Sequence, residues 1–252
     1  MSDAIVRVEK LRKKYGDKTA VDGISFEVKK GEIFGILGPN GAGKTTTLEM
    51  IETIRDIDAG HVTIAGLDVT TESQKVKYII GVQPHSPAFM DKVKLTEQLE
   101  QLASAYGERV NAKELLAEVG LTDKANAYVE NLSGGQKQRF SIVASLVHKP
   151  RVFFMDEPTT GLDPQARRNL WELIKQTRDK GVTILMTTHY MEEAEVLCDR
   201  VAIMDNGRIV ALDTPKKLIQ QLLKRGFKKA QHVEQADLED VFIDLTGKAL
   251  RD

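Results

Sequence analysis

The sequence predicts an α/β protein with three parts: a mostly parallel sheet, a smaller antiparallel layer near the N-terminus, and an inserted helical lobe. Three observations carry this. Apolar runs of strand length alternate with helical patterns over much of the chain. One such run leads directly into a glycine-rich turn and then a helical pattern. Residues 84–149 hold several helical patterns and no strand-like run.

Taken in order, residues 5–8 and 24–28 alternate in character, which predicts the antiparallel layer. Residues 33–37 (IFGIL) read as a buried strand, 38–43 as the turn and 45–54 as a helix. Further strands are expected at 78–82, 152–155, 182–186 and 201–204, joined by right-handed crossovers. Within the lobe, helices are expected at 95–106, 112–119 and 134–147. The tail from about Pro215 reads as two helices joined by a basic, glycine-containing link at 224–229. The division is then a core of 1–83 and 150–215, a lobe of 84–149 and a helical extension of 216–252.

Length and composition agree. The chain has 252 residues, enough for one large α/β domain or a core with an inserted lobe. Hydrophobic residues at 41% and charged residues at 29% predict a packed core rather than disorder. A formal net charge of -1 gives no global field favouring nucleic acid or membrane. The single cysteine, Cys198, excludes an internal disulfide. The N-terminus lacks the apolar stretch of a signal peptide, and no run approaches the ~18 residues of a membrane span. A cytoplasmic location is expected, and the chain itself cannot be a channel.

The chemistry starts at Gly38-Pro39-Asn40-Gly41-Ala42-Gly43-Lys44-Thr45, with Thr46 following. This fits the P-loop pattern G-x-x-x-x-G-K-[ST]. Glycines let the backbone curl so that its N–H groups converge on phosphate oxygens, and the next helix adds its N-terminus. Lys44 supplies a point charge to the β- and γ-phosphates, and Thr45 a hydroxyl to Mg²⁺. The expected fold class is therefore a P-loop NTPase core whose cofactors are a nucleoside triphosphate and Mg²⁺. The run 152–157 (VFFMDE) ends a buried strand in two acids. Successive strand side chains point to opposite faces, so the two acids should have different jobs. Asp156 is expected to hold Mg²⁺, and Glu157 to polarise the attacking water.

The segment 131–136 (NLSGGQ) narrows the family. Leu-Ser-Gly-Gly-Gln resembles the signature sequence of ABC transporter nucleotide-binding domains. Ser133 is suited to cap a helix while Gly134 and Gly135 expose backbone N–H groups to a phosphate. The resemblance runs over roughly residues 4 to 215. Gly161-Leu162-Asp163 resembles the D-loop, Thr187-Thr188-His189 the switch histidine, and Tyr15 the aromatic that stacks on adenine.

The resemblance implies a mechanism. Two such domains pair head to tail, with ATP held between the P-loop of one and Ser133, Gly134, Gly135 and Gln136 of the other. Glu157 is the general base, His189 contacts the γ-phosphate, and Lys44 completes the catalytic set. The chain carries one copy of each motif, so it requires a second ATPase subunit, either itself or a paralogue. The run 187–195 (TTHYMEEAE) and the tail 238–247 (LEDVFIDLTG) are similar to exporter ATPases of the drug-resistance and ABCA-like type. The implied function is export through a separate integral membrane permease, with the chain peripheral on the inner face of the membrane. An importer ATPase shares every catalytic motif. A soluble ABC ATPase acting on nucleic acid usually carries coiled-coil insertions or tandem domains, absent here, so no nucleic-acid partner is expected.

One segment departs from the family pattern. Relatives carry a glutamine, at the end of the strand entering the lobe, that meets Mg²⁺. Here the segment reads Ile80-Gly81-Val82-Gln83-Pro84-His85. Aligning Gly81 and Pro84 puts His85 in the glutamine's place. Gln83 lies two residues earlier on the same face of an extended chain. Oxygen preference favours Gln83, and position favours His85, which is taken as the positional equivalent, with no direct bond to the metal. Phe89, Met90, Val93 and Leu95, where the lobe begins, are either a docking groove for the permease or lobe core. Cys198 is expected to be inert core, Trp171 packing, and His61, His148 and His232 surface or core.

Overall fold

The structure is a computed structural model, and residues 4–84 and 89–226 are described. The chain divides into a compact unit, Met1–Leu218, and a second unit, Ile219–Asp252. Within the first unit the strands are β1 (Ala4–Tyr15), β2 (Lys18–Lys29), β3 (Ile33–Leu37), β4 (Ala59–Ile64), β5 (Leu67–Asp68), β6 (Ile80–Gln83), β7 (Val152–Asp156), β8 (Thr183–Thr188), β9 (Arg200–Asp205) and β10 (Arg208–Asp213). The helices are α1 (Lys44–Ile51), α2 (Ser73–Ile79), α3 (Leu95–Ala105), α4 (Ala112–Glu118), α5 (Gly134–Leu146), α6 (Pro164–Asp179) and α7 (Met191–Leu197). Helix α8 (Pro215–Lys224) leads into the second unit, whose described residues end at Gly226.

Two sheets form. The antiparallel one has the order β2-β1-β4-β5. The larger one has the order β10-β9-β3-β8-β7-β6 and is parallel except at the β9–β10 edge. The antiparallel layer is larger than 5–8 and 24–28 suggest. β1 and β2 are joined by a two-residue turn at Gly16 and Asp17, since Tyr15 pairs with Lys18. Their outer halves are polar, which hides the period-2 signal. β4 carries no strand pattern in the sequence because its first three residues are exposed.

The parallel strands read as unbroken apolar runs because both faces are buried. Phe34 and Ile36 of β3, Phe154 of β7 and Leu185 of β8 face the antiparallel layer and α1. Ile33, Leu37, Phe153, Met155, Ile184 and Met186 face α6 and α7. Trp171 and Cys198 belong to that second cluster, as expected of packing residues. Burial pushes the Cys198 thiol well above its ordinary range. Cys198 is the cap that ends α7 rather than part of that helix. The lobe has a core of its own around Leu95, Leu99, Leu116, Leu121 and Phe140.

One strand expectation needs correction. Residues 78 and 79 belong to the end of α2, and the strand begins only at Ile80. Tyr78 is exposed, so its aromatic character reports a surface and not a buried strand. From Ile80 the strand runs directly beneath α5. A Cβ on Gly81 would lie 2.4 Å from the Ser145 carbonyl oxygen and 2.9 Å from Pro150 Cγ. Ser145 Oγ also donates to the Val82 carbonyl at 2.8 Å. Close approach therefore requires glycine here. Gly81→Ala is expected to cost about 1–3 kcal/mol through forced separation of β6 and α5. A thermal melt that shifts downward by several degrees checks this.

Candidate functional site

Parallel pairing places the C-terminal ends of four strands along one edge, where ligands of open α/β sheets bind. Leu37 pairs with Thr188, Asp156 with Thr187, and Gln83 with Met155. The glycine-rich turn leaves β3 at this edge. Gly43 has φ 102°, and a Cβ there would lie 2.3 Å from the Ala20 carbonyl oxygen. That conformation and that contact both demand glycine. Lys44 is the first residue of α1 and is almost fully buried. Its Nζ donates to the Gly38 and Pro39 carbonyls at 2.9 and 3.2 Å. It also pairs with Glu157 Oε1 at 3.2 Å.

Asp156 and Glu157 take different partners, as the sequence suggested, but strand alternation is only part of the cause. β7 ends at Asp156, and Glu157 turns into a left-handed backbone conformation at φ 48°. Non-glycine residues adopt that region rarely and at a cost, and such strain gathers at functional sites. Asp156 accepts from Thr45 Oγ1 at 3.0 and 3.2 Å. Glu157 faces Lys44 on one oxygen and His189 Nδ1 at 3.0 Å on the other. Thr160 Oγ1 adds a donor at 3.3 Å. Burial raises the Glu157 pKa, but Lys44 and His189 outweigh it and leave the carboxyl below its ordinary value.

Thr187 connects the two acids. Its hydroxyl donates to Asp156 Oδ1 and accepts the Glu157 N–H at 3.0 Å. The Glu157 N–H also reaches the Thr187 carbonyl at 3.2 Å. In the sequence Thr187 stands out only as part of the run before His189. A threonine inside a β-branched strand carries no signal that distinguishes this use from ordinary strand propensity.

The other expected residues fall into three groups. Tyr15 lines a cavity of about 240 Å³ together with Asn40, Gly41, Gly43, Thr46 and Glu157. Ser133 caps α5, and Gln136 completes a capping box: Ser133 Oγ accepts the Gln136 N–H at 3.3 Å, and Gln136 Oε1 accepts the Ser133 N–H at 2.9 Å. None of residues 133–136 lines the cavity that Tyr15 shares with the P-loop. Gln83 is 1% exposed, and neither amide atom has a hydrogen-bond partner among the described residues. It lines a cavity of about 260 Å³ with Thr45, Glu52 and Asp156. His85 lies outside the described residues, as do His232 and the tail 238–247.

The donor set suits a small hard cation. Thr45, Asp156 and Gln83 all offer oxygen, and the unpartnered amide of Gln83 gives an observation that such a ligand would explain. Among the described residues no group of three or more His, Cys, Asp or Glu could hold a metal alone. Phosphate oxygens and water would therefore complete the shell. His148 is a core residue: Nε2 lies 2.8 Å from the Ile80 carbonyl and the ring stacks on Tyr106. His61 is half-exposed beside Asp68. Phe89 packs on Phe140 with ring centroids 5.1 Å apart, and Leu95 is fully buried, so both belong to lobe core. Met90 is exposed.

The sequence profile of the ABC transporter family matches residues 21–160, more than half the chain. The chain belongs to the ABC transporter family. It is 44% identical over 223 residues to the linearmycin resistance ATP-binding protein LnrL of Bacillus subtilis (strain 168), covering 86% of this chain and 72% of the relative. It is likewise 44% identical over 223 residues to the Nod factor export ATP-binding protein I of Ralstonia nicotianae, covering 86% and 70%. A solved ATP-binding subunit of an ABC transporter is similar over 96% of this chain and 99% of its own, with TM-score 0.78 and 29% identity. A dimeric cassette in a post-hydrolysis state bound to ADP and Pi matches with TM-score 0.74 and 25% identity over 83% and 98%. The chain is thus an ABC ATP-binding subunit and an ATPase.

The Thr187 bonds make a specific expectation for this ABC ATPase. Thr187→Val keeps the shape but removes the hydroxyl. Hydrogen bonds to charged groups contribute about 1.5–3 kcal/mol. Turnover should fall at least about tenfold, with a higher Mg²⁺ requirement and a melting temperature lowered by several degrees. Thr187→Ser should restore most of the rate. Steady-state hydrolysis measured across a Mg²⁺ series decides the matter.

Proposed function

We propose that this chain hydrolyses ATP to drive export through a separate membrane subunit. The observation that carries the reading is the division of labour at β7: Asp156 toward Thr45, and Glu157 between Lys44 and His189. In the ATP-bound state the P-loop N–H groups and Lys44 hold the phosphates. Thr45, Asp156 and Gln83 would hold Mg²⁺, which would supply positive charge against the phosphates. Lys44 then leaves Glu157 for the phosphates, which frees the carboxylate to take a proton from the attacking water. The water oxygen bonds to the γ-phosphorus as the bond to the ADP oxygen breaks. His189 donates to the γ-phosphate and fixes Glu157. Catalysis here is mostly positioning and electrostatics. Tyr15 stacks on the adenine.

Residues 133–136 open α5 outside the lining of the Tyr15–P-loop cavity, and on this reading they would serve the nucleotide of a second subunit. The dimeric cassette among the similar structures supports this. The resistance and export roles of the named relatives support the direction of transport. No helix among the described residues is long and apolar enough to cross a membrane. The subunit would then sit on the inner face of the membrane, held by its permease.

The permease would dock at a cavity of about 370 Å³ between β6 and the lobe, lined by Ile54, Phe89, Leu102, Tyr106 and His148. Exposed Ile54 and Tyr78 border it, and Tyr78 meets the Tyr106 ring edge-on at 5.9 Å. Exposed apolar groups grouped in this way mark interaction sites.

Two measurements follow. Glu157→Gln should bind ATP yet turn over at least about 100-fold more slowly, given typical general-base contributions. The same variant should become dimeric in light scattering only when ATP is added, and near-normal hydrolysis would reject Glu157 as base. Separately, Tyr78→Asp should lose co-purification with the membrane subunit while basal hydrolysis stays within about twofold, because surface changes away from a site are near neutral. Retained co-purification would move the docking surface elsewhere.

A further inference from the structure

We infer that the seam between lobe and core holds a binding site for an anionic amphiphile: an aliphatic chain ending in a carboxylate or phosphate. The nucleotide end of the sheet lies at the C-terminal ends of the parallel strands. The seam cavity lies at their N-terminal ends, where Lys30 precedes β3, Arg151 precedes β7 and Val182 precedes β8. Its volume is about 500 Å³, larger than either cavity at the nucleotide end and within the range of small-molecule sites.

The walls are apolar. Val119 of the lobe, Ile142 and Leu146 of α5, and Leu173 of α6 face into it. Leu173 packs against both the core cluster behind the sheet and the lobe cluster. The two cores therefore meet through Leu173 and part beside it. The cleft is open to solvent at its charged rim, and its apolar walls hold water poorly. The one buried polar wall group, Thr177, already donates its hydroxyl to the Leu173 carbonyl at 2.8 Å. An aliphatic chain suits these walls better than water or a polar ligand.

The charges choose the head group. Lys30, Lys149 and Arg151 line the cavity and have no ion-pair partner among the described residues. The only acid in the lining, Glu118, is committed to Lys180 at 2.6 Å. Three uncompensated cations beside an apolar cavity complement an anionic head on an apolar chain. The site is separate from the nucleotide and does not depend on the ATPase assignments.

The test uses the full chain and sodium dodecanoate below its micelle concentration, followed by titration calorimetry. Saturable one-to-one binding is expected, equal with and without saturating MgATP. Dodecyltrimethylammonium, with the same chain and the opposite charge, should not bind. The double variant Lys149→Glu/Arg151→Glu should weaken dodecanoate at least about tenfold through reversed charge, with ATP affinity unchanged. Leu146→Phe, which adds volume to the wall, should also weaken it. Co-sedimentation with phosphatidylcholine vesicles containing phosphatidylglycerol, reversed by dodecanoate, assigns a membrane lipid as the source. Dodecanoate binding without co-sedimentation assigns a free amphiphile. No dodecanoate binding, equal binding of the cationic amphiphile, or unchanged affinity in both variants overturns the inference.

Discussion

The Thr187 hydroxyl is one small group on which the arrangement of both acids rests. It can serve Asp156 and the Glu157 backbone together only because β7 and β8 pair in one register, with Asp156 opposite Thr187. A one-residue slip would turn the whole inward set of β8 to the other face. The register is therefore enforced by burial: Ile184, Leu185 and Met186 have apolar partners on both sides of the sheet. Core packing thus sets the position of a hydroxyl to the precision that phosphoryl transfer demands.

The same constraint explains the strain at Glu157. A strand continuing past Asp156 would send the next side chain through the sheet, away from the P-loop. The left-handed turn at φ 48° brings Glu157 back beside Lys44 and His189. Two adjacent acids are thereby aimed in different directions beside the P-loop. The backbone cost is offset by the Glu157 N–H, which finds both the hydroxyl and the carbonyl of Thr187.

Much of this was legible in the sequence. The P-loop, the acids and the signature each couple a residue type to a backbone feature that only a few residues can supply, so the pattern carries its geometry with it. Glycine at position 43 is of this kind: both its φ and the nearby Ala20 carbonyl exclude a side chain. What was not legible is of two sorts. β4 and the outer halves of β1 and β2 have mixed polarity because the layer is exposed at its rim, so periodicity fails there. Thr187 and the turn at Glu157 arise from pairing between strands thirty residues apart, which no local pattern encodes. The exposed Tyr78 misled in the opposite sense, since an aromatic beside an apolar run reads as strand whether it faces the core or the solvent.

Gln83 shows how position and chemistry can point to different residues. Alignment by Gly81 and Pro84 favours His85, because it counts residues along the chain. Burial favours Gln83, because it lines the same cavity as Thr45 and Asp156 and its amide has no partner among the described residues. A buried amide without a hydrogen bond is costly, and an apolar residue would fill the end of β6 more cheaply. The side chain is accounted for if the cation and its water shell satisfy it in the nucleotide-bound state. The unmet hydrogen bonds of the free protein are then part of what makes ligand binding favourable. Gly81 reinforces the arrangement: by letting β6 lie against α5, it sets Gln83 on the strand packed beneath the helix that begins with the signature. Under the proposed mechanism, the residue that would meet the cation is one strand-to-helix contact away from the element that would serve the partner subunit's nucleotide.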